Sequence, residues 1–563
     1  MAALRSVQYR YTVLGAGVTT YDPSIFRNFI EKEFSYIAGF RRNVDRYARS
    51  LAIIDPISDT TWTYAELGRQ VDLLATGLLR AGVAREQVVT YQLMNSPQFA
   101  QLYLATQAAG MIGSPINYRL APGETAYILD DSQPAAFVYD GSMREATAEA
   151  LKLAKHRPPL LVCVGPEDPL PGAIRFDDVP ASTADLPPLN RSTYDETTRL
   201  YTSGTTGLPK GVALNSLVEI FTAHDVIMHF PLTPNDRTLN MTPWFHRGGL
   251  YSGGPNPCFY LGAGVVPLAA FDAATCLDHV ERYHLTFLVG APTNLAMLAA
   301  VQEKSPRDLS TLKGIVTMGS PLEREATLRY QRVLTPNIFN GYGTTEAFWN
   351  TFLRPTDLPE HAGSAGRSCT DDDVAVVRLR EDGFAPPDEW AKRDNTEVGE
   401  VVVRSPKSGF SYVNSPEQQE AKFRDGWLYI GDLATWDADG YVTIVGRKDD
   451  MIITGGENVH PVQVEEALNE HPKVTDSMVV GIPDPKWGRQ VVAFVVAADG
   501  SLTADECDAH CRAHSMLSDY KRPRAYSFVE SLPVTATGKK IHYKATQQAT
   551  AQYAAGLFAT PSR

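Results

Sequence analysis

Apolar residues recur at helical spacing in some segments of the chain and in short continuous runs in others. Residues 65–75 carry apolar side chains three and four positions apart, which predicts an amphipathic helix. Residues 87–93 form a short apolar run that predicts a strand, and a further helix is expected from Ser96. This alternation continues over residues 22–162 and 200–318, so we predict layered α/β subdomains.

The pattern changes in the last third of the chain. Residues 370–445 contain short β-rich runs separated by turn residues, which predicts a small sheet or barrel. From residue 451 onward, helix and strand patterns alternate again. We therefore expect an N-terminal domain over residues 1–448, with a β-rich subdomain at about 370–445, and a small, mobile α+β C-terminal domain over residues 449–563.

Composition and charge narrow the function classes. The chain has 563 residues, of which 44% are hydrophobic and 21% are charged, as in multi-domain globular proteins. It carries 52 Lys and Arg against 65 Asp and Glu, a net charge of −13, which disfavours nucleic-acid binding. The apolar stretch 287–301 is interrupted and too short to cross a membrane. Six cysteines and the absence of a signal-peptide pattern favour reduced thiols and a cytoplasmic location.

The acidic chain contains one basic segment. Residues 521–544 hold six Lys and Arg but only one acidic residue, Glu530. Basic charge concentrated in this way suggests contact with phosphates or carboxylates, and the alternative is a solvated face.

The strongest chemical signal is the loop at residues 201–211, which reads YTSGTTGLPKG. Its hydroxyls and glycines suit a polyphosphate, because backbone N–H groups can approach closely and hydroxyls can surround the oxygens. The loop is not a Walker A motif, since Lys210 is followed by glycine rather than Ser or Thr.

Six segments in the same order give the chain its resemblance to a known family. They are the loop at 201–211, PWFHRGG at 243–249, NGYGTTE at 340–346, GDL at 431–433 with GRKDD at 446–450, TGGENVHP at 454–461, and PVTATGKK at 533–540. Over about residues 22–545 the sequence resembles the adenylate-forming (acyl-activating) enzyme superfamily, and most closely its acyl-CoA synthetases.

The resemblance implies the nucleotide site. Tyr342 would offer a flat face to adenine, Asp432 would accept hydrogen bonds from the ribose hydroxyls, and Thr345 would reach the α-phosphate. Glu346 would be the Mg²⁺ ligand, because magnesium prefers carboxylate oxygens and substrate phosphates. The implied nucleotide-binding residues are Thr202, Ser203, Gly204, Thr205, Thr206, Gly207, Lys210, Asn340, Gly341, Tyr342, Gly343, Thr344, Asp432 and Arg447.

The C-terminal motifs imply a moving domain. Lys539 matches the catalytic lysine of the family, although Lys540 follows it where an apolar residue is usual. Asp449 matches the hinge. Gly455, Gly456 and Glu457 match the loop that lines the tunnel for the pantetheine arm of CoA.

The segment around His246 implies the acyl site. A histidine in this motif lies beside the acyl carboxylate, and together with Lys539, Thr345 and Glu346 it completes the implied catalytic set. No Asp stands near it to hold a substrate amine, which disfavours an amino-acid substrate, and Arg247 suggests either a polar substituent on the acid or a solvent-facing cation. The implied acyl pocket consists of Trp244, His246, Gly248, Gly319, Ser320 and Phe348.

Together these features predict an acid–thiol ligase. We expect ATP, Mg²⁺ and CoA as cofactors, and a small carboxylic acid that is first converted to acyl-AMP with release of pyrophosphate. The sequence leaves open an acyl-AMP ligase that loads a carrier protein or another nucleophile, a non-catalytic nucleotide-binding relative, and a luciferase-like oxygenase.

Two other patterns are rejected. Gly15 and Gly17 begin a dinucleotide fingerprint, but Thr20 stands where its third glycine is needed. Cys507, His510, Cys511 and His514 have the composition of a zinc site, but four ligands on one helix cannot converge on one tetrahedral ion.

Overall fold

The computed structural model describes residues 23–181, 186–203, 208–320, 322–380, 383–409, 411–448, 450–533, 540 and 542–562. Within these residues the chain forms five sheets and sixteen α-helices. The strands are β1 (Leu51–Asp55), β2 (Thr60–Thr63), β3 (Val88–Gln92), β4 (Ile112–Pro115), β5 (Ala136–Asp140), β6 (Leu160–Val164), β7 (Ile174–Arg175), β8 (Glu196–Ser203), β9 (Pro209–Asn215), β10 (Arg237–Asn240), β11 (Gly264–Val265), β12 (Phe287–Gly290), β13 (Gly314–Met318), β14 (Ile338–Thr344), β15 (Phe348–Leu353), β16 (Arg367–Ser368), β17 (Asp373–Arg378), β18 (Gly399–Arg404), β19 (Tyr412–Val413), β20 (Phe423–Arg424), β21 (Trp427–Trp436), β22 (Val442–Arg447), β23 (Ile452–Thr454), β24 (Glu457–Val459), β25 (Val474–Asp484), β26 (Gly488–Ala497) and β27 (Tyr526–Phe528).

The helices separate most of these strands along the chain. They are α1 (Pro23–Lys32), α2 (Tyr36–Arg46), α3 (Tyr64–Arg80), α4 (Pro97–Ala109), α5 (Pro122–Ser132), α6 (Arg144–Leu153), α7 (Ser216–His229), α8 (Arg247–Tyr251), α9 (Pro255–Leu261), α10 (Ala273–Tyr283), α11 (Pro292–Lys304), α12 (Arg324–Val333), α13 (Pro416–Lys422), α14 (Pro461–Asn469), α15 (Ala504–Ala513) and α16 (His542–Ala554). In the described part of the chain, no helix combines the length and apolar character needed to span a membrane.

Local signals in the sequence set several of these boundaries. Thr63 caps α3, and its hydroxyl and the Glu66 carboxylate form a capping box. Ser96 caps α4, Pro97 occupies the first turn, and Gly110 ends the helix in the left-handed region. The helices expected at 65–75 and from Ser96 are therefore present and extend further than the periodicity alone suggested.

Two large mixed sheets form the N-terminal part. One has eight strands in the order β19-β9-β8-β4-β3-β5-β6-β7, and the other has nine in the order β16-β15-β14-β13-β12-β10-β11-β1-β2. A core cluster containing α3, α4 and α7 joins the facing sides of the two sheets. Helices α5 and α6 cover the outer face of the first sheet, and α10, α11 and α12 cover the second. The layered α/β fold class is confirmed.

The β-rich stretch forms a separate antiparallel sheet. Strands β17, β18, β21 and β20 follow in that order, and β22 pairs with β21. Its own core contains Val376, Val402 and Trp436. This sheet stands beside β14 and positions two of the implied nucleotide-binding residues.

The C-terminal part has a three-stranded sheet with helices on both faces. Along β25, Met478 and Val480 pack with α16, whereas Val479 packs with α14 and α15. Because both faces are buried there, the middle of the strand, residues 478–482, is a continuous run of apolar residues and glycine, whereas residues 475–477 before it are polar. The last strand of the N-terminal sheets is β22, and the first strand of the C-terminal part is β23. The domain boundary at residues 448 and 449 stays a prediction, because Asp449 lies outside the described residues.

A histidine joins the first turn of α16 to the rest of this domain. His542 Nε2 lies 2.9 Å from Glu465 Oε1, and its Nδ1 lies 3.3 Å from Asp450 Oδ2. Burial lowers the pKa of His542, but Glu465 and Asp450 outweigh both burial and nearby Lys540, and the pKa is raised overall. The folded state therefore binds this proton more tightly than the unfolded state.

We predict that stability depends on this proton. The pKa of His542 in the folded protein lies above its unfolded value of about 6.5. The contribution of His542 to the free energy of unfolding is therefore complete below about pH 6.5, and it is lost as the pH rises through the folded pKa. The melting temperature of wild type should exceed that of His542→Gln most at low pH, and the gap should close at alkaline pH. His471→Gln is the control, since burial lowers the pKa of His471 and gives the opposite slope. A gap that widens with pH would contradict the prediction.

Candidate active site

Two implied nucleotide-binding residues meet where the end of β14 approaches the β-rich sheet. Tyr342 lies near the end of β14, and its hydroxyl donates a 2.6 Å hydrogen bond to Asp432 Oδ2 on β21. Asp432 is 6% exposed, and its main chain is registered opposite Arg447 on β22. Ligands of open α/β sheets bind at the carboxyl ends of strands, so Tyr342, with Asp432 bonded to it, stands where a nucleoside would be expected.

Glu346 and Lys210 meet across a tyrosine that the sequence motifs did not indicate. The Tyr412 hydroxyl donates a 2.5 Å hydrogen bond to Glu346 Oε1. The Lys210 ammonium lies 5.4 Å from the centre of the Tyr412 ring and contacts the side chain of Gln418. Glu346 is half-buried and keeps acceptor sites beyond the one used by Tyr412, so its carboxylate has the chemistry of a Mg²⁺ ligand.

Arg247 is buried between the acyl motif and the nucleotide motif. It is 2% exposed, which corrects the expectation that it faces solvent or the acid. Its Nη1 donates to the main-chain oxygen of Thr345, and its Nη2 donates to that of Lys407 at 2.6 Å. Burial lowers the pKa of Arg247 to about 10, so the cation persists at neutral pH. The guanidinium thereby fixes the backbone position of Thr345.

The second acceptor of Arg247 belongs to a buried ion cluster. Lys407 is 1% exposed, and its Nζ lies 3.0 Å from Asp225 Oδ2 and 2.8 Å from Asp372 Oδ2. Donor atoms of Asp225, His229 and Cys369 lie within 4.8 Å of one another, a spacing that could hold a metal ion. The Lys407 ammonium already supplies the positive charge there, so we assign the cluster to the support of Arg247.

The acyl motif lies against the end of β13. Gly248 packs so closely on Met318 that an added Cβ would lie 2.9 Å from its sulfur. Gly319 has φ +87 and no atom within 4 Å of the position of a Cβ, which leaves open space beside the motif. Gly319 itself is exposed and Ser320 is half-buried, whereas Trp244 and Phe348 are buried in the core cluster that also contains Met318.

Glu457 carries the implied tunnel loop to this same place. Its Oε2 lies 3.3 Å from His246 Nε2 and 3.2 Å from Asn117 Nδ2, and its Oε1 lies 2.9 Å from Arg119 Nη1. Burial alone would raise the pKa of Glu457, but His246 and Arg119 outweigh it and lower the pKa. A carboxylate of the C-terminal part is therefore held ionised by residues of the N-terminal part.

The glycines before Glu457 allow the loop to approach. Gly455 and Gly456 have φ +57 and +83, which side chains rarely adopt. A Cβ on Gly456 would lie 4.0 Å from the Cβ of Ala291, at the start of α11. The main-chain nitrogen of Gly455 donates to the oxygen of Trp487 at 2.8 Å. This loop thus lies between the two parts of the chain.

A second buried contact joins the two parts. Glu124 in the first turn of α5 is fully buried and contacts both the Lys521 ammonium and the Ser518 hydroxyl. Gln463 Oε1 accepts from Lys521 Nζ at 2.9 Å. Because Glu124 and Lys521 are both buried, breaking the contact would leave an uncompensated charge.

Comparison with known proteins decides the family. The family model described as AMP-binding enzyme matches residues 40–412, and the model described as AMP-binding enzyme C-terminal domain matches residues 463–539. The chain belongs to the AMP-binding enzyme family. The resemblance recognised in the motifs is confirmed, and the protein is an AMP-forming ligase.

Similar proteins include thioester- and amide-forming enzymes. The feruloyl-CoA synthase of an Amycolatopsis species is 35% identical over 85% of this chain and 92% of its own. The amide bond synthetase McbA from Marinactinospora thermotolerans is similar in structure, with a TM-score of 0.80, 30% identity, and coverage of 92% of this chain and 99% of its own.

One relative has been solved in two states. The o-succinylbenzoate-CoA synthetase of Bacillus subtilis, as a double mutant bound with the product analogue OSB-NCoA, gives a TM-score of 0.78 at 25% identity, covering 91% of this chain and 98% of its own. The same enzyme in complex with the acyl-adenylate intermediate OSB-AMP gives 0.64 at 26% identity, covering 90% and 97%.

Lys539, the lysine expected to be catalytic, lies outside the described residues, as do Gly204, Thr205, Thr206 and Gly207. The neighbour of that lysine, Lys540, is described, and its Nζ lies 3.0 Å from Glu465 Oε2 and 2.9 Å from Asp476 Oδ1. Lys540 is therefore bound within its own domain, which favours Lys539 as the residue that reaches the active site.

The basic segment was expected to contact phosphates or carboxylates, and its first three cations contact carboxylates of the protein itself. Lys521 is bonded to Glu124 across the domains, as described above. Arg522 Nε lies 2.6 Å from Asp519 Oδ1, and its Nη1 contacts Asp508. Arg524 lies 3.6 Å from Asp519 Oδ2. The positive charges of these three residues are therefore balanced by carboxylates. Glu124 is distant in sequence, whereas Asp508 and Asp519 lie within 16 positions of the arginines.

The motifs of this AMP-binding enzyme left out several residues of the site. Arg119, Glu124, Lys407 and Tyr412 act through contacts between segments far apart in sequence, for which one chain gives no signal. For Glu124 a partial signal existed, since a Glu three residues after Ala121 and two after Pro122 indicates a helix start. That signal predicts the helix but not the contact with Lys521.

We predict that Arg247 positions the nucleotide loop. Arg247→Lys keeps the positive charge but cannot reach both the Thr345 and Lys407 oxygens, so acid-dependent ATP–pyrophosphate exchange should slow by about tenfold to a hundredfold. Thr222→Val is the matched control, because it removes only the 3.3 Å acceptor of Arg247 and should change exchange little. Normal exchange with a lowered melting temperature in Arg247→Lys would mean that Arg247 only packs.

Proposed function

We propose that the protein activates a carboxylic acid with ATP, releases pyrophosphate, and transfers the acyl group from acyl-AMP to the thiol of CoA. The observation that carries this proposal is the contact between Glu457 and His246, which joins the implied CoA loop to the implied acyl motif. A thiol delivered along that loop would arrive beside the acyl carbonyl.

The first step needs positioning and charge neutralisation. Tyr342 and Asp432 would hold the adenosine, and Thr345, on a backbone fixed by Arg247, would contact the α-phosphate. The acid's carboxylate then attacks the α-phosphorus in line, and Lys539 would neutralise charge on both reactants. The Glu346 carboxylate fits Mg²⁺, which would supply further positive charge to the phosphates when bound.

The described arrangement suits the second step. The two parts of the chain meet through Glu457 and through Glu124, and both contacts involve buried charges. The higher TM-score to the relative bound with a CoA product analogue than to its acyl-adenylate complex agrees with this interpretation. For the first step, Lys539 must replace the glycine loop at the site, so the C-terminal domain would rotate about Asp449.

The acid class is proposed from the relatives and the acyl motif. The names feruloyl-CoA synthase and o-succinylbenzoate-CoA synthetase both describe aromatic acids. Gly319 leaves open space next to Met318, and Trp244 and Phe348, which belong to the same core cluster as Met318, would supply apolar, aromatic walls. A flat aryl or arylpropenoic acid fits these features better than a long flexible chain, which would need a tunnel.

Amide formation is the second candidate. The likeness to the amide bond synthetase McbA extends over 92% of this chain. The ion pairs of Lys521 and Arg522 also engage two cations of the basic segment with carboxylates, so these cations are less available to the phosphates of CoA. An amine acceptor would need no such cations.

A pyrophosphate-release screen tests the proposal. Arylpropenoic, benzoic and fatty acids would each be offered with ATP and either CoA, a simple primary amine, or no acceptor, and the products identified by mass spectrometry. We expect thioester from an aryl acid with CoA. Amide without thioester would favour the second candidate, and absence of pyrophosphate release with all acids would overturn acid activation.

We predict that replacing Lys539 impairs only the adenylation half-reaction, whereas replacing Lys540 impairs neither half-reaction. Lys539→Ala should reduce ATP–pyrophosphate exchange by about a hundredfold or more, since it removes the charge that meets the α-phosphate. Thioester formation from supplied acyl-AMP should change little. Lys540→Ala is the matched control: it should keep both half-reactions and lower the melting temperature, because Glu465 and Asp476 lose their cation. The reverse result would assign catalysis to Lys540.

We predict that Glu124 and Lys521 stabilise the transfer arrangement. Glu124→Gln or Lys521→Met should slow transfer from supplied acyl-AMP by about tenfold or more while sparing pyrophosphate exchange. The double variant should be less impaired than the two single effects combined, because no unpaired charge remains. Lys473→Gln, which breaks the Lys473–Glu506 pair within the C-terminal domain, is the control. Equal loss of both half-reactions would contradict the assignment.

A further inference from the structure

A cavity between the β16 edge of the nine-stranded sheet and the β-rich sheet is lined by three arginines. Its volume is about 390 Å³, within the usual range of small-molecule pockets. Arg354, Arg367 and Arg393 contribute to its wall, together with Trp436 and Asp439. None of the residues proposed above for the nucleotide, the acid or the acceptor lines it.

The arginines give the cavity a positive charge. Within the described residues, none of the three guanidinium groups forms an ion pair with a carboxylate, and Asp439 is the only acidic residue of the wall. Three cations and one anion give a charge of 3 − 1 = +2, in a chain whose net charge is −13. A concave surface of one sign concentrates ions of the opposite sign.

The guanidinium groups are held in place by stacking or hydrogen bonding rather than by acids. Arg393 Cζ lies 4.3 Å from the centre of the Trp436 ring and 4.9 Å from that of Trp390. Arg367 Cζ lies 4.8 Å from the centre of the Tyr441 ring. Stacking engages the face of the planar cation and leaves its N–H edge available to an anion.

The third arginine, Arg354, is held by a buried histidine. Arg354 Nη2 lies 2.5 Å from His229 Nδ1, and His229 Nε2 lies 3.1 Å from Asp225 Oδ1 in the buried ion cluster. All three side chains are therefore restrained before any ligand arrives, which reduces the entropy lost on binding.

We propose that this cavity binds a small anion carrying two or more phosphate groups. Guanidinium edges match phosphate oxygens with paired hydrogen bonds, and three of them suit a ligand with more than one phosphate. The phosphates could belong to free pyrophosphate or to the nucleotide end of a larger molecule. The opposing interpretation is that the arginines only cover aromatic rings on the surface.

The test is binding of inorganic pyrophosphate measured by calorimetry on the full chain. The active site is first filled with a non-hydrolysable ATP analogue, so that a further site is seen separately. We expect one further site in wild type, weakened about tenfold or more in the double variant Arg367→Gln/Arg393→Gln. Arg329→Gln, which breaks the exposed Arg329–Glu303 pair, is the matched control and should leave the affinity unchanged.

A gain-of-affinity variant keeps the test decisive if the double variant fails to fold. Asp439→Asn removes the one carboxylate of the wall and should tighten pyrophosphate binding severalfold. Titration with adenosine 3′,5′-bisphosphate then distinguishes the two sources of phosphate, free pyrophosphate and a nucleotide. If the bisphosphate binds more tightly than pyrophosphate does, the site is assigned to a nucleotide. No additional pyrophosphate site in wild type, or affinities unchanged in both the double variant and Asp439→Asn, would overturn the proposal.

Discussion

One buried carboxylate, that of Glu457, determines how the two parts of the chain meet. It is 5% exposed and receives hydrogen bonds or ion pairs from His246, Arg119 and Asn117, all on the N-terminal side. A buried charge of this kind is stable only while its partners are present, because an unpaired ion in a low-dielectric interior is very costly. The contact therefore favours one arrangement of the domains and is lost as a unit when they separate.

The same reasoning applies within the N-terminal part. Arg247 cannot shed its proton at neutral pH, so its buried guanidinium must keep acceptors. Those acceptors are the main-chain oxygens of Thr345 and Lys407, and Lys407 is in turn held by Asp225 and Asp372. A residue adjacent to the acyl-site histidine thus fixes the backbone of the nucleotide loop. In the proposed reaction, the loop that would hold the phosphate is therefore positioned by a buried charge next to the proposed acid site.

Much of the fold and the family could be predicted from the sequence because both depend on local signals. Thr63, Ser96 and Pro97 mark helix starts, and the pattern at residues 87–93 marks the strand β3. The motifs likewise carry their chemistry within a few residues, so the AMP-binding family followed from them. The roles of Lys539 and Asp449 stay predictions, since both residues lie outside the described parts of the chain.

The contacts that escaped prediction are the ones that join distant segments. The basic run from residue 521 predicts contact with phosphates or carboxylates but does not say which, and Lys521 is bonded to the carboxylate of Glu124, almost 400 positions earlier in the chain. Conversely, Arg354, Arg367 and Arg393 are scattered in sequence and converge on one cavity. Clustering of charge along a chain does not determine where that charge is left unpaired. Only the packing decides this, and an unpaired, restrained cation is a better indication of an anion site than a run of lysines and arginines.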